Sequence, residues 1–476
     1  MLGLLGTLDL ANRSLQTSRQ GTEVAGHNLA NVNNPAYARQ RLNVQTSLAL
    51  PSSLGAVGTG VDAASITQLR DSILDRQVQT ETSVRSSLEA QQSALQYAEA
   101  ALGQQIDRQA AGPDGTTSAN GIGSQPGLAE NLSDLFNSFQ GLSSNPTSLA
   151  ERQNVLSAAQ QTATQFNQVS QRLSTLHSSL DDSLQDSVKS FNDGLRDVAD
   201  LNQRIISAEL GARGTANDLR DLRQQKIENL SKLAKVDTAT ASDGSISVSL
   251  GGVALVNGAQ LTESIETYDA GGGQLLVRAQ TSGSPLTLTG GSMEGTIQAR
   301  DGALTNLRTQ LDALASSLVT NVNAIHKTGF GLNNSTGEDF FSGTNAATIR
   351  VNQKLIDNPA LLQASGASGA PGDNQTILAM AQLGQQRQPA LRDQTFQESY
   401  ATSVTALGQS LASVNTQLNS QQIVDNMLQR QRDAVSGVSL DEEMTDLMKY
   451  QKAFEASAKL VVTIDEMLDT VLNLKR

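Results

Sequence analysis

The sequence predicts a mainly α fold: a long helical bundle with coiled-coil segments, discontinuous nested domains and a small inserted β-rich domain. Three observations carry this expectation. A heptad register runs through both chain ends. Ala, Ser, Gln and Leu stand where bulkier core residues are usual, and aromatic residues make up only 3%. The hydrophobic period also changes from helical to strictly alternating in one short internal segment. At roughly 100–200 residues per domain, 476 residues allow two to four domains.

The first helix is marked by Leu4, Leu8, Ala11, Leu15, Ser18, Thr22, Ala25 and Leu29, spaced alternately by four and three. Pro35 disfavours helix at Asn34 and Asn33 tolerates a left-handed cap, so the chain turns there. Gln40, Leu42 and Val44 then alternate as an extended segment. One long helix is expected over 67–102, ended by Gly103, with a Gly/Ser/Asn/Pro-rich loop over 111–127. Helices follow over 128–142 and 147–210, then a break at 211–214, then a helix from Asn217 or Asp218 to about Lys235. Residues 245–250 alternate strictly, Gly251-Gly252 offers a two-residue hairpin turn into 253–256, and 275–279 and 286–289 are further strands. Helix resumes from Met293 to His326, a turn-rich stretch runs over 329–343, and a final helix pair is broken near Ser436-Gly437.

The last helix carries the most sustained pattern. Leu440, Met444, Leu447, Gln451, Phe454, Ala458, Val461, Asp465, Leu468 and Leu472 keep a 3.5-residue period over about 50 Å of helix. Ser439 stands as N-cap with Glu442 placed for a capping box. A second stripe (Ala453, Leu460, Ile464, Met467, Val471 and Leu474) lies beside it. One partner helix cannot cover both, and each large apolar side chain left in water forgoes roughly 1.5–3 kcal/mol. Pairing of the two chain ends is the economical arrangement. Two outcomes remain open: burial inside an intramolecular bundle, or cover supplied by further molecules. The implied units are paired terminal helices at 1–40 and 436–476, a helical rod-like domain from 41–236 and 291–435, and an outer β-rich insertion at 237–290.

Composition narrows the function. Against 34 basic side chains stand 47 acidic ones, a net charge of −13, which suits no nucleic-acid partner. No run approaches 18 apolar residues, so no membrane span is expected. The start of the chain lacks a basic n-region and meets Asp9 early, so no secretory signal peptide is expected. Absence of Cys excludes thiol catalysis and disulfides. There is no nucleophile elbow and no zinc helix. Gly121-Ile122-Gly123-Ser124-Gln125-Pro126-Gly127 puts proline where a phosphate loop needs glycine. His27, His177 and His326 are scattered, and His326 is expected to meet helix-terminal carbonyls. Neither a catalytic residue nor a cofactor or metal site is expected.

One local motif is more specific. Asn28-Leu29-Ala30-Asn31-Val32-Asn33-Asn34-Pro35-Ala36-Tyr37-Ala38-Arg39-Gln40 resembles the signature of bacterial flagellar axial proteins. Asn28, Ala30, Asn31, Asn33, Pro35, Tyr37, Arg39 and Gln40 match it. Asn34 and Ala36 depart from the usual Thr and Gly, and a left-handed Ala36 would be strained. Residues 436–444 and 449–459, with 217–223, 290–301, 323–326 and 337–341, are similar to the hook-associated branch found at the hook–filament junction.

That resemblance implies a structural protein of the bacterial flagellum that self-assembles through its terminal helices. The assembly residues would be Leu4, Leu8, Ala11, Leu15 and Leu29 on the first helix. On the last they would be Leu440, Met444, Leu447, Phe454, Ala458, Val461, Ile464, Met467, Leu468, Val471 and Leu472. Asn28, Asn31, Asn33, Pro35, Tyr37, Arg39 and Gln40 would form the axial-family turn. Implied partners are further copies in a ring, the hook protein, the next junction protein (hook-associated protein 3) and a cytoplasmic export chaperone on the C-terminal helix. The location would be extracellular, reached by type III export without signal cleavage. The outer domain that many relatives carry after the Phe340-Phe341 position would be missing or vestigial. Alternatives are a hook or rod protein, which would lack the 436–459 pattern, and a secreted helical adhesin or enzyme built on the β insertion.

Overall fold

The computed structural model describes residues 3–52, 55–103, 127–211 and 216–473. Apart from Gly127, the expected loop at 111–127 lies outside them, as do residues 212–214 of the expected break, Leu474, and all of the phosphate-loop lookalike except Gly127.

Helix α1 (Leu4–Ala30) is followed by strands β1 (Gln40–Thr46), β2 (Leu50–Ser52), β3 (Gly55–Val57) and β4 (Val61–Gln68). β1 and β4 pair antiparallel, Gln40 opposite Gln68 and Thr46 opposite Val61, with a bulge after Asn43; β2 and β3 form a smaller hairpin between them. Four helices come next: α2 (Ser72–Ala101), α3 (Leu128–Ser144), α4 (Leu149–Ala208) and α5 (Asn217–Leu233). Then β5 (Asp237–Thr240), β6 (Ile246–Leu250), β7 (Val253–Asn257) and β8 (Gln260–Leu261) make an antiparallel meander, and β9 (Ile265–Asp269) pairs with β10 (Leu275–Ala279). α6 (Ser292–Gln298) passes through a π-helical turn at Ala299–Leu304 into α7 (Thr305–His326). The two-residue strands β11 (Phe341–Ser342) and β12 (Arg350–Val351), then α8 (Gln353–Asp357) and α9 (Gln375–Gln382), precede the long α10 (Phe396–Ser436) and α11 (Leu440–Asn473).

Local chemistry accounts for the helix starts. Asp71 Oδ1 accepts from Ile73 N and Leu74 N, Ser148 Oγ accepts from Glu151 N, and Thr395 with Glu398 forms a reciprocal capping box. Gly251 and Gly252, at φ 56° and 84°, make the tight turn that joins β6 to β7.

Several expectations need correction. The helix expected from Thr67 starts at Ser72, because 61–68 pairs with β1 and Asp71 caps the helix start. Residues 40–68 are therefore strand-rich and lie on α1, not in a helical rod. Residues 286–289 form no strand: Leu286 N donates to Val277 O at 3.0 Å, and the chain then turns toward Gly290. β5, β8 and β9 were not foreseen, being short and without clear alternation. The α5 N-cap is Ala216, neither Asn217 nor Asp218. His326 is fully buried beyond the helix-terminal carbonyls: its Nδ1 donates to Glu338 O at 2.8 Å, and its Nε2 accepts from Gln363 N at 3.0 Å.

Two apolar cores organise the middle of the chain, and α4 runs through both. Its 60 residues span roughly 90 Å. The first core joins its N-terminal half to α2, α3, α7, α9 and α10 around Phe139, Phe166, Phe340 and Phe396. The second joins Leu184–Ala199 to α5, α6 and the β strands. Residues after Phe341 contribute Ile349, Leu355, Leu362, Ile377 and Leu391 to the first core, so this stretch is part of the bundle and not an outer domain. Between the cores Arg300, with no exposed surface, pairs with Asp181 at 2.6 Å and Asp301 at 2.7 Å. Gly295 allows α6 to cross α2 closely; a Cβ there would lie 2.1 Å from Ser87 O.

Candidate assembly interface

The chain ends pair antiparallel, and three contacts set their alignment. Ser14 Oγ lies 2.7 Å from Ser457 Oγ. Gly21 backs onto the Tyr450 ring so closely that a Cβ would fall 2.5 Å from it. Asn28 Nδ2 donates to Glu443 Oε2 at 2.9 Å. Each step is seven residues forward on α1 and seven back on α11, a heptad ladder of small against larger side chains. Ala11 before the first step, and Ser18 and Ala25 between the steps, are buried. The other side of α1 rests on the hairpin: Arg13 Nη1 donates to Asp62 Oδ1 at 2.8 Å and Ser47 Oγ at 2.9 Å, and Thr17 Oγ1 donates to Val61 O at 3.4 Å.

The phase of the α11 seam differs from the expected one by about one residue. Glu443, Leu447, Tyr450, Ser457, Val461, Ile464 and Leu468 turn inward to various degrees, while Leu440, Met444, Gln451, Phe454, Asp465 and Leu472 are exposed. Ile464, assigned to the second stripe, is the apolar residue of α11 that is fully buried. The rotation follows from α1, whose small Ser14 and Gly21 admit Ser457 and the Tyr450 ring. On α1 itself Leu4, Leu8, Leu15 and Leu29 are only half-buried.

The turn after α1 ties this pair to the rest of the molecule, and Asn28 is its centre. Asn28 Nδ2 also donates to Gln40 O at 2.9 Å, while Oδ1 accepts from Tyr37 Oη at 2.7 Å and Gln40 N at 2.9 Å. Every donor and acceptor of the amide is used, which fixes its orientation. Burial, and then the nearby Asp218, Asp221 and Glu443, push the Tyr37 phenol pKa upward, so it stays a donor. Arg39 reaches Glu443 Oε1 at 2.6 Å and also meets Glu442; Arg39 N donates to Ser436 O at 2.9 Å. Gln40 Nε2 donates to Asp218 Oδ1 at 3.0 Å, and Ala38 N to Asp221 Oδ2 at 3.3 Å. Arg70 closes the ring, donating to Ala36 O at 3.1 Å and Asp221 Oδ1 at 2.7 Å and pairing with Asp75 at 3.2 Å. Desolvation holds Asp75 and Asp221 above the usual carboxylate range despite Arg70.

Asn31 Nδ2 donates to His27 O at 3.0 Å, while Asn33 and Pro35 are exposed. Neither Asn33 nor Ala36 has positive φ, so alanine is unstrained there; Asn34 Oδ1 accepts from Ala36 N at 3.1 Å and shapes the bend.

Comparison with known proteins agrees with this architecture. The model of the flagellar hook-associated protein FlgK helical domain matches residues 120–341, and that of the flagellar basal body rod FlgEFG protein C-terminal region matches 429–474. Flagellar hook-associated protein 1 of Bacillus subtilis is 26% identical, covering 98% of this chain and 97% of its own; the Escherichia coli protein of that name is 21% identical over 98% and 99%. The likeness to flagellar hook-associated protein 1 thus runs from end to end of the chain. The solved flagellar hook junction protein FlgK from Burkholderia pseudomallei shares the fold, with a TM-score of 0.62 over 76% of this chain and all of its own at 16% identity. A flagellar hook protein FlgE from Treponema pallidum is 52% identical, but over only 42 residues.

Sequence reasoning did not place four residues of this interface: Tyr450 on the helix pair, and Glu443, Arg70 and Asp221 at the turn. The Asn217-Asp218 motif pointed toward the last of these, and nothing in the heptad pattern pointed to the others. α11 leaves apolar side chains in water on both flanks of its seam, among them Met444 (48% exposed), Met467 (50%), Val471 (53%) and Leu472 (67%).

Proposed function

We infer that this chain is a structural component of the bacterial flagellum that forms the junction between hook and filament, self-assembling through its terminal helices. End-to-end similarity to hook-associated protein 1 supports the setting, and one observation carries the mechanism. The 34-residue α11 is paired with α1 along one seam, yet it exposes Met467, Val471 and Leu472 and buries only Glu443 and Ile464. That surface is satisfied when neighbouring copies cover it, each large side chain then gaining roughly 1.5–3 kcal/mol.

On this reading the partners are further copies in a ring, the hook protein below, the next junction protein above, and a cytoplasmic chaperone that shields α11 before type III export. The protein works outside the cell and is not an enzyme. The rival reading, a hook or rod protein, draws on a 42-residue likeness covering 9% of the chain, against end-to-end similarity to hook-associated protein 1. The test is to add purified chain to isolated hooks and image them. Density confined to the distal ends is expected; binding along the shaft, or none, overturns the junction reading.

A further inference from the structure

We propose that Glu443, held by Asn28 and Arg39, selects the register of the terminal helix pair, acting as a positioning residue for the assembly surface. A heptad seam is degenerate: sliding α11 by seven residues reproduces the spacing of every layer. Apolar burial discriminates little here, since α1 offers Ala11, Ser14, Ser18, Gly21 and Ala25 along its seam and Ile464 is the fully buried apolar residue of α11. The polar layer does discriminate.

Glu443 is 2% exposed and has Asn28 Nδ2 at 2.9 Å and Arg39 Nε at 2.6 Å. The present pairs are Ser14 with Ser457, Gly21 with Tyr450, and Asn28 with Glu443. A slip that sets Thr7 against Ser457 would place Glu443 against Gly21, which has no side-chain donor, and the Tyr450 ring against Ser14. The opposite slip carries Glu443 past the C-terminal end of α1 at Ala30. Either way the carboxylate loses its amide partner, and Asn28 loses the acceptor for one N–H. A buried charge stripped of its partner is strongly destabilising, whereas the matched layer costs some stability and excludes the alternatives. Arg39 belongs to the turn, so the lock also ties the register to the β1–β4 hairpin and to α10 through Ser436 O. Register matters because it decides which exposed residues of α1 lie beside Met444, Met467 and Leu472.

The consequence for assembly rests on the junction reading, but the register is measurable on the free chain. The protein contains no cysteine, so introduced pairs report cleanly. Ser14→Cys with Ser457→Cys reports the native alignment, and Thr7→Cys with Ser457→Cys reports the slip. In full-length protein under mild oxidation, Glu443→Leu is expected to raise the ratio of slipped to native cross-linking rate by roughly tenfold or more. An unchanged ratio overturns the proposal. If Glu443→Leu yields neither cross-link, Glu443→Gln is read the same way, and a ratio equal to that of the parent again overturns it. The hook-binding assay separates the two readings: a slipped chain that still caps hooks normally leaves the lock standing and counts against assembly through these helices.

Discussion

The first core and the terminal pair use similar heptad-like patterns to opposite ends. In the core, Val155, Leu156, Phe166, Val169 and Leu173 of α4 have no exposed surface, and Phe340 packs its ring against Phe139, His326 and Phe341 at centroid distances of 5.7, 5.4 and 4.7 Å. In the terminal pair, small residues and a buried Asn–Glu–Arg contact hold two helices together while much of the apolar side chain of α11 faces water. The contrast teaches that a hydrophobic period identifies a face without identifying who covers it. The core is self-sufficient; the terminal pair is aligned by its own chain and, on the proposed reading, completed by others.

The comparison breaks most sharply at Phe340. Phe340→Ala removes a fully buried ring from the centre of the first core and should cost about 3–5 kcal/mol, read as a lower denaturation midpoint. Amide exchange along α11 should stay unchanged, because the two regions share no apolar cluster.

A smaller effect comes from acid. Burial pushes the His326 pKa down from 6.5 to about 4. Between those values the unfolded chain binds more protons than the folded one, so core stability falls as pH drops from 6.5 toward 4. It is complete above 6.5, and the shift corresponds to about 3 kcal/mol. Urea midpoints taken across that window should fall, and the slope should flatten in His326→Asn. Asp75 and Asp221 at the turn carry the opposite sign: their raised pKa favours folding at low pH, a contribution lost as pH rises through the folded value. Acid should therefore weaken the core before the turn, which residue-resolved exchange can check.

Helix existence and order were legible because α4, α10 and α11 are long and periodic, and the turn was legible because Asn28, Tyr37, Arg39 and Gln40 carry a dense local motif. The seam phase was not. Apolar counting put Leu440 and Met444 inside, whereas the observed seam is set by shape at Gly21 and Tyr450 and by charge at Glu443, none of which scores as a core residue. Arg70 and Asp221 escaped for another reason: they meet across a sequence separation of 151 through a single ion pair at 2.7 Å, and such contacts leave no periodic trace. The β1–β4 hairpin was half visible, since β1 alternates but β4 is only partly buried on both faces.

The smallest expected effect on the free chain is also the most discriminating. Leu472 is 67% exposed and Leu468 half-buried near the C-terminal end of the seam. Replacing both with Ser should move the core denaturation midpoint by no more than about 0.5 kcal/mol, as for surface changes remote from any packed feature. Capping of hooks should nevertheless be lost, because on the proposed reading these positions are where a neighbouring copy gains apolar burial. A fall in core stability would mean that α11 folds back onto the bundle in solution, so that its own chain already covers these residues. Unchanged capping would mean that the junction is built without them, and the terminal pair would then be a closed structural unit like the core it contrasts with.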